Sequence, residues 1–490
     1  MALEPEFGFR NGREGAAPRA HAILDGPPPA FSVAGSRSMA SKEPEERTAS
    51  FDSEIPADLD WAEGMVEEAL LAGAFEAEVY LKTSSTTGIS LAGGFATLTG
   101  GSERGIALRV FDDRGSFGHA FSSWGSDLRP REMIGLAVSA LKDSSAGRPG
   151  AAFPAPRPES PFINPEGLID EDVTRLTAPE KQGLLEKALR EASRGRSQPT
   201  CAAYRDGISR VVLVNSRGLR AGYARTLSLL RLTRAEAGGP TFHLERVAPG
   251  PDIEAFQESA RELDRIRPTG ALMEIDPADL LVEAPAAVSL LRRLEPDLFE
   301  EAREAEAPQE AGFLRVGSEA MTVVDDGGLA GGVASAPFDG EGSRTGRLTL
   351  VKAGVRIDRL RRSCAGEIGR PGTAGRASYR DLPRITGSNL FIVPGRRRLE
   401  EILPEIEKGF LLAALANEPA GESRGEEIAW RGMGWEVRNG RSIGPCRIVA
   451  FRAKPGELLE SIREVSGRLR FSLRGAAAMG APDLLLRRRL

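Results

Sequence analysis

Apolar and polar residues follow two periods along this chain. Over 59–73 (LDWAEGMVEEALLAG), Trp61, Met65, Ala69 and Ala72 recur at helical spacing with acids opposite, which predicts an amphipathic helix. Residues 77–82 alternate with period two, as a strand does. Residues 86–91, 95–99 and 105–111 read as further short strands separated by glycines. Asp112-Asp113-Arg114-Gly115 reads as a hairpin turn, with 116–122 as the returning strand. Residues 129–141 form a second amphipathic helix. Helix, antiparallel strands and helix together describe an α+β domain over 56–145.

Pro, Gly and Ala are dense from 144 to 165, so 146–165 reads as a linker. Beyond it, 179–194 is helical, with Thr177 as candidate N-cap. Residues 201–205, 209–215, 220–224 and 227–235 read as strands of a meander, and 252–266 as a helix. This is a middle α+β domain over 166–270. The remainder, 271–490, is strand-rich, with strands at 273–275, 348–353, 389–393 and 434–438. Helices are expected at 285–294, 399–408 and 457–466. The fold class is α+β and rich in antiparallel sheet. Residues 1–55 hold so much Gly, Pro, Ala, Arg and Glu that they are expected to stay disordered, and Met39 offers an alternative start.

Composition narrows the function classes. At 490 residues the chain exceeds the size at which one core stops growing. Apolar residues are 41% and aromatics only 6%, so the cores should rest on aliphatic side chains. A net charge of −5 lacks the basic excess of a general nucleic-acid binder. Arg396-Arg397-Arg398 and Arg487-Arg488-Arg489 read as solvated surface. Cys201, Cys364 and Cys446 are far apart and form no CxxC, which fits a reducing cytosol. No apolar run of about 18 residues predicts a membrane span, and no apolar signal core is visible near the N-terminus.

The densest candidate chemistry lies in 321–355 (MTVVDDGGLAGGVASAPFDGEGSRTGRLTLVKAGV). Asp325, Asp326, Asp339 and Glu341 could offer oxygen ligands to a hard cation. Asp339-Gly340-Glu341-Gly342 is nevertheless too short for an EF-hand loop. Acids beside glycines are also what turns use, so these read as turn acids. His21, His119 and His243 are the only histidines, and none has a second His or Cys at ligand spacing. No Gly-x-Ser-x-Gly elbow and no phosphate loop occurs. By itself Asn215-Ser216-Arg217-Gly218 is a turn with Gly218 at the positive-φ position. No catalytic residue, cofactor site or metal site is therefore assigned.

Three segments in order resemble the TldD/PmbA family, also called modulators of DNA gyrase. The first is Gly101-Ser102-Glu103-Arg104-Gly105-Ile106-Ala107-Leu108-Arg109-Val110. The second is Val214-Asn215-Ser216-Arg217-Gly218. The third joins Val324-Asp325-Asp326 to Pro337-Phe338-Asp339-Gly340-Glu341-Gly342 and is the most specific. Thr373-Ala374-Gly375-Arg376 and the segment 388–395 also fit, so the resemblance spans roughly 60–488. The family implies a metallopeptidase assembly of two related subunits. One holds a metal with a His-Glu-x-x-x-His helix and a late cysteine; the other lacks them. The corresponding segment here, 282–293 (VEAPAAVSLLRR), contains no histidine, and 474–482 (RGAAAMGAP) contains no cysteine.

The resemblance thus implies the PmbA (TldE) side, a cytosolic subunit that is catalytically silent alone. Its partner would be a metal-bearing TldD-like subunit, or itself in a homodimer, and it would meet unfolded or extended peptides. Arg109, Asn215, Gly218, Asp325, Asp326, Phe338, Asp339, Glu341 and Gly342 would serve architecture, peptide contact or partner contact. Two alternatives stay open. One is a self-sufficient peptidase with an unrecognised site; the other is a regulatory protein that binds gyrase. Neither membrane association nor direct nucleic-acid binding is expected.

Overall fold

A computed structural model describes residues 54–93, 95–123, 129–143, 160–192, 201–234, 242–276, 279–299, 314–361, 370–417 and 427–487. The disordered reading of the leader up to residue 53, most of the linker, His21, Cys364, Arg488 and Arg489 fall outside the described residues.

The first half is built on one antiparallel sheet. Its strands are β1 (Glu76–Ala92), β2 (Phe95–Phe111), β3 (Phe117–Ser123), β4 (Cys201–Asn215), β5 (Arg220–Arg234) and β6 (Phe242–Ala248). They lie in the order β3-β2-β1-β4-β5-β6. Two strand pairs expected in 77–111 are each one strand of 17 residues. The β1–β2 register runs unbroken from Glu76↔Phe111 to Ala92↔Phe95, straight through Gly88 and Gly105. Likewise 201–205 joins 209–215, and 220–224 joins 227–234. Glycine weakens a strand locally, but here strands on both sides hold the backbone of β1, β4 and β5 in place. The pairing of β1 with β4, from Glu78↔Asn215 to Ala92↔Cys201, joins residues 76–92 and 201–215 in one sheet.

Alternation then divides the sheet into two faces. One carries Val79, Leu81, Leu108, Val110, Val212 and Val214. Helices α1 (Ile55–Leu71) and α2 (Pro130–Asp143) pack there, with Ala62, Met65, Val66 and Ala69 forming the buried stripe of α1. Of the expected stripe, Trp61 sits at its edge, half-buried, and Ala72 is exposed just past the end of the helix, where the chain leaves the sheet face. Farther along, α3 (Ala178–Ala192) and α4 (Ile253–Arg265) cover Tyr204, Leu230 and Leu232. Asp252 caps α4 by accepting the Ala255 N–H at 2.9 Å. At α3 the Thr177 N–H donates to Glu180 at 2.7 Å. The opposite face carries Tyr80, Ala107, Val211, Leu213 and Tyr223, and it meets Ala336, Phe338 and Tyr379 from the C-terminal half.

The C-terminal half contains two seven-stranded sheets. One is ordered Arg470–Arg474, Ala477–Ala481, Asn389–Ile392, Val323–Asp326, Arg347–Lys352, Val355–Arg356, Leu314–Arg315. The other is ordered Ile462–Val465, Leu484–Arg487, Asp279–Val282, Lys408–Asn417, Ile428–Arg438, Arg441–Ala453, Met273–Glu274. A shared core of Val323, Leu350, Ile392, Leu412, Trp430 and Leu484 fills the space between them. In the second sheet Leu280 and Val282 face that core, while Leu281 faces the core under α3 and α4.

Strands buried on both sides need no alternation. This is why Asp279–Val282, Ala477–Ala481 and Leu484–Arg487 give no strand pattern in the sequence. Two expected helices are shorter than the pattern suggested. Residues 399–408 hold Leu399–Ile402 and a 3-10 turn before a strand begins at Lys408, and 457–466 hold the end of Pro455–Glu460 before a strand at Ile462. Strand pairing supplied from the sheet overrides local helical spacing there.

Gly105 decides how closely the two halves approach. A Cβ at this position would lie 2.1–2.4 Å from the ring of Tyr379, which is itself buried. The Gly105→Ala variant is therefore expected to lose about 1–3 kcal/mol from overpacking, read from urea unfolding. An unchanged midpoint would show that Tyr379 can move aside at no cost.

Candidate functional site

The site forms where the second face of the sheet meets the C-terminal loops. One row across four strands carries His119, Arg109, Glu78 and Asn215, paired as Arg109↔His119, Glu78↔Arg109 and Glu78↔Asn215. Arg109 and Glu78 are both buried and form a two-pronged ion pair, Nε to Oε1 at 3.0 Å and Nη2 to Oε2 at 2.8 Å. Arg376 arrives from the C-terminal half. Its Nη2 donates to Glu78 Oε1 at 2.5 Å, its Nε donates to the Gly340 carbonyl at 2.8 Å, and its guanidinium lies 4.4 Å from the Tyr80 ring centre. Burial pushes the Glu78 carboxyl up, but Arg109 and Arg376 outweigh it and hold Glu78 below the usual carboxylate range.

Asn215 and Gly218 shape the β4–β5 turn. Asn215 Oδ1 accepts from the N–H groups of Arg217 (3.0 Å) and Leu219 (3.2 Å), and Gly218 has φ +81°. An L side chain is disfavoured at that φ.

The five remaining acids and aromatics of the sequence reading, Asp325, Asp326, Phe338, Asp339 and Glu341, are all buried. Asp339 Oδ1 accepts from Glu341 N and Ser343 N, each at 2.9 Å, and Oδ2 accepts from Ala374 N at 2.9 Å. Gly342 closes this turn at φ +88°, with its N–H on the Asp339 carbonyl at 3.1 Å. Burial and then Glu341 push the Asp339 carboxyl up to about 7, against the three N–H donors. Burial opposes the charge on Arg109, but Glu78 first, and then Glu341 and Asp339, outweigh it. Asp325 accepts from Ser388 N (2.7 Å) and Ser388 Oγ (3.0 Å), yet burial holds its carboxyl near 6. Asp326 accepts the Gly328 N–H at 3.0 Å, and its carbonyl accepts from Asn389 Nδ2 at 2.7 Å. Phe338 meets Tyr223 edge-on with centroids 5.1 Å apart.

Between these parts lies a cleft partly open to solvent. Tyr80, Lys82, Tyr223 and Arg225 line it from the sheet, and Phe338, Asp339 and Arg376 from the C-terminal half. The sequence reading did not single out Glu78, Tyr80, Lys82, Tyr223 or Arg225. The available signal was a charge inside an apolar strand: Glu78 between Ala77 and Val79, and Arg109 between Leu108 and Val110. Asp325 and Asp326 sit at the end of their strand and do not line the cleft, although Asp325 holds Ser388, which does.

The positions that the family resemblance would give to a metal do not fit one. In the helix Ala284–Leu291, the residues Ala284, Ala286, Ala287, Val288, Leu290 and Leu291 are buried apolar side chains. The Ala284 N–H at its start donates to Asp483 Oδ1 at 2.8 Å, and Asp483 also accepts from Ser466 Oγ at 2.8 Å. The segment 477–481 supplies only Ala, Met and Gly to a buried strand. Cys446 is buried, which pushes its thiol up to about 11 and leaves it protonated at neutral pH. Among the described residues no three His, Cys, Asp or Glu side chains are grouped to hold a metal ion.

Two measurements probe this site. Glu78→Gln leaves Arg109 and Arg376 buried without their carboxylate, and should cost about 3–5 kcal/mol in chemical denaturation. A loss below about 1 kcal/mol would mean the guanidiniums find water instead. Asp325 keeps its proton in the fold up to pH near 6, whereas the unfolded chain releases it near 3.8. The folded state therefore binds more protons between those values, and stability falls as pH rises through this window. In Asp325→Asn the amide can still serve Ser388, so the difference in unfolding free energy between pH 4 and pH 7 should change by roughly 2–4 kcal/mol. Parallel pH profiles for both proteins would rule this out.

Residues 312–489 match the PmbA/TldA metallopeptidase C-terminal domain. A metalloprotease of Methanothermobacter thermautotrophicus is 24% identical over 417 residues, covering 80% of this chain and 84% of that protein. A crystal structure of TldE from Thermococcus kodakarensis superposes with a TM-score of 0.72 at 18% identity, covering 87% of this chain and 98% of the other. A Thermotoga maritima protein described as a modulator of a DNA gyrase gives a TM-score of 0.72 at 19% identity, with the same coverage. No helix among the described residues is long and apolar enough to cross a membrane. Residues 312–489 thus belong to the metallopeptidase-related TldD/PmbA family, and the ordered motifs and the shared fold carry the resemblance through the rest of the chain.

Proposed function

We propose that this chain is the metal-free, TldE-like subunit of a cytosolic TldD/PmbA-type peptidase, presenting peptide to a metal-bearing partner. The observation that carries the reading is the helix Ala284–Leu291, whose Ala286, Ala287, Val288, Leu290 and Leu291 are committed to the core where a metal-binding subunit would need histidines. A peptidase zinc requires about three protein ligands and an open position for water. Without them no water is activated near neutral pH by that route. The cleft between the sheet and the C-terminal half supports the recognition role, since it combines aromatic walls with a few charged groups. Arg109, Glu78 and Arg376 fix the wall of that cleft, and Asp339 with Gly342 fixes its loop.

The chain alone should leave an unstructured peptide intact. Adding a His-Glu-x-x-x-His relative from the same host should yield a stable complex and cleavage faster than the relative achieves by itself. Both are measured by size exclusion and by mass spectrometry of the products. Cleavage by the chain alone, lost in Asp339→Asn, would instead support a self-sufficient peptidase. Recovery of gyrase, with no peptidase relative, would favour the regulatory reading.

A further inference from the structure

Two basic side chains in the cleft have no carboxylate partner among the described residues. Lys82 on β1 and Arg225 on β5 occupy the same sheet face, because Lys82 pairs with Val211, Val211 pairs with Tyr223, and Arg225 lies two residues beyond Tyr223. Their strands are two apart, so about 10 Å separates the backbones. Both side chains are long enough to converge across that gap. Lys82 Nζ donates to the Ala377 carbonyl at 2.6 Å, and Arg225 Nη1 donates to the Ser335 carbonyl at 3.5 Å. These neutral acceptors leave donors on both groups unused. Arg376 is held by Glu78 and Gly340 through Nη2 and Nε, and its buried Nη1 has no partner among the described residues.

Two phenols complete the set. Tyr80 and Tyr223 line the same cleft and belong to one buried cluster. Burial pushes both above the usual phenol range, so each stays an O–H donor. No hydrogen bond among the described residues engages either hydroxyl. The Lys82 ammonium is held down near 8, first by burial and then by Arg225, with Glu103 and Asp381 opposing. The cleft therefore gathers positive charge and O–H donors around a space that an anion would fill.

We infer that Lys82, Arg225, Tyr80 and Tyr223 form a carboxylate-binding subsite that anchors one end of an extended peptide. A guanidinium binds carboxylate through a two-pronged contact, and an ammonium adds a point charge. A singly charged carboxylate suits the site better than a phosphate dianion, because the acidic Asp339 shares the cleft. Val211, Ala336 and Phe338 offer an apolar wall beside it. The C-terminal carboxylate of a peptide fits this combination, with its last side chain against that wall. An acidic side chain offers the same chemistry from another source. The assignment rests on the peptide-binding role proposed above.

The test uses isothermal titration of the full chain with three N-acetylated hexapeptides. One has a free C-terminus, one is amidated, and one is amidated with an internal Glu. The free acid should bind at least tenfold more tightly than the neutral amide. Lys82→Gln combined with Arg225→Gln should erase that preference, while Lys82→Arg keeps it. If the Glu peptide matches the free acid, the site is a carboxylate site that reads side chains as well. Equal binding of free acid and amide, a preference that survives the double substitution, or no binding of any peptide each overturns the subsite. Partner-dependent cleavage of the same peptides is scored separately. Cleavage without a carboxylate preference removes the subsite and leaves the subunit role standing; a carboxylate preference without any partner effect does the reverse.

Discussion

Glu78 sits fully buried between two guanidiniums that come from different parts of the chain, Arg109 from β2 and Arg376 from the C-terminal half. Removing three charges from water is costly, and such clusters often add little net stability. What they do impose is geometry. A carboxylate shared by two arginines tolerates little displacement, because each lost contact leaves a charge in a place water does not reach. Arg376 in turn grips the Gly340 carbonyl, and Gly340 lies inside the turn that Asp339 organises. The wall and the loop of the cleft are thus tied to one buried carboxylate.

Around this polar seam the structure relies on ordinary aliphatic packing. The C-terminal sheets share a core in which Ala284–Leu291 is a structural helix whose first N–H is held by Asp483 and whose buried side chains are apolar. The groups free to act on a ligand lie elsewhere, in the cleft, where cations and phenols stand on the sheet and a raised carboxyl stands on the loop. That separation gives the two regions different tolerances. The core helix accepts only residues of similar volume, whereas the cleft wall is set by strand register and can change side chains without moving the backbone.

Much of the architecture was legible in the sequence. The helices of the first half followed their apolar spacing, and the turns at Asp112–Gly115 and Asn215–Gly218 followed from Asx chemistry and from glycine at φ +80° and +81°. Strand lengths were not legible, because glycines that look like breaks are spanned by neighbouring strands. The doubly buried strands of the C-terminal half were missed because no alternation marks a strand with apolar surroundings on both sides.

The sequence by itself carried the family resemblance, through the order of its motifs, and the lack of histidine and cysteine where that resemblance expects metal ligands. Both follow from residue identity alone. Only the tertiary structure decided what the charged residues do. Glu78, Arg109 and Arg376 are up to 298 positions apart and meet because three backbone segments converge. The state of each carboxyl likewise depends on burial and on neighbouring charge, which residue type does not encode. Glu78 is held ionised by two cations, while Asp325 and Asp339 are driven toward their protonated forms by the same seclusion from water.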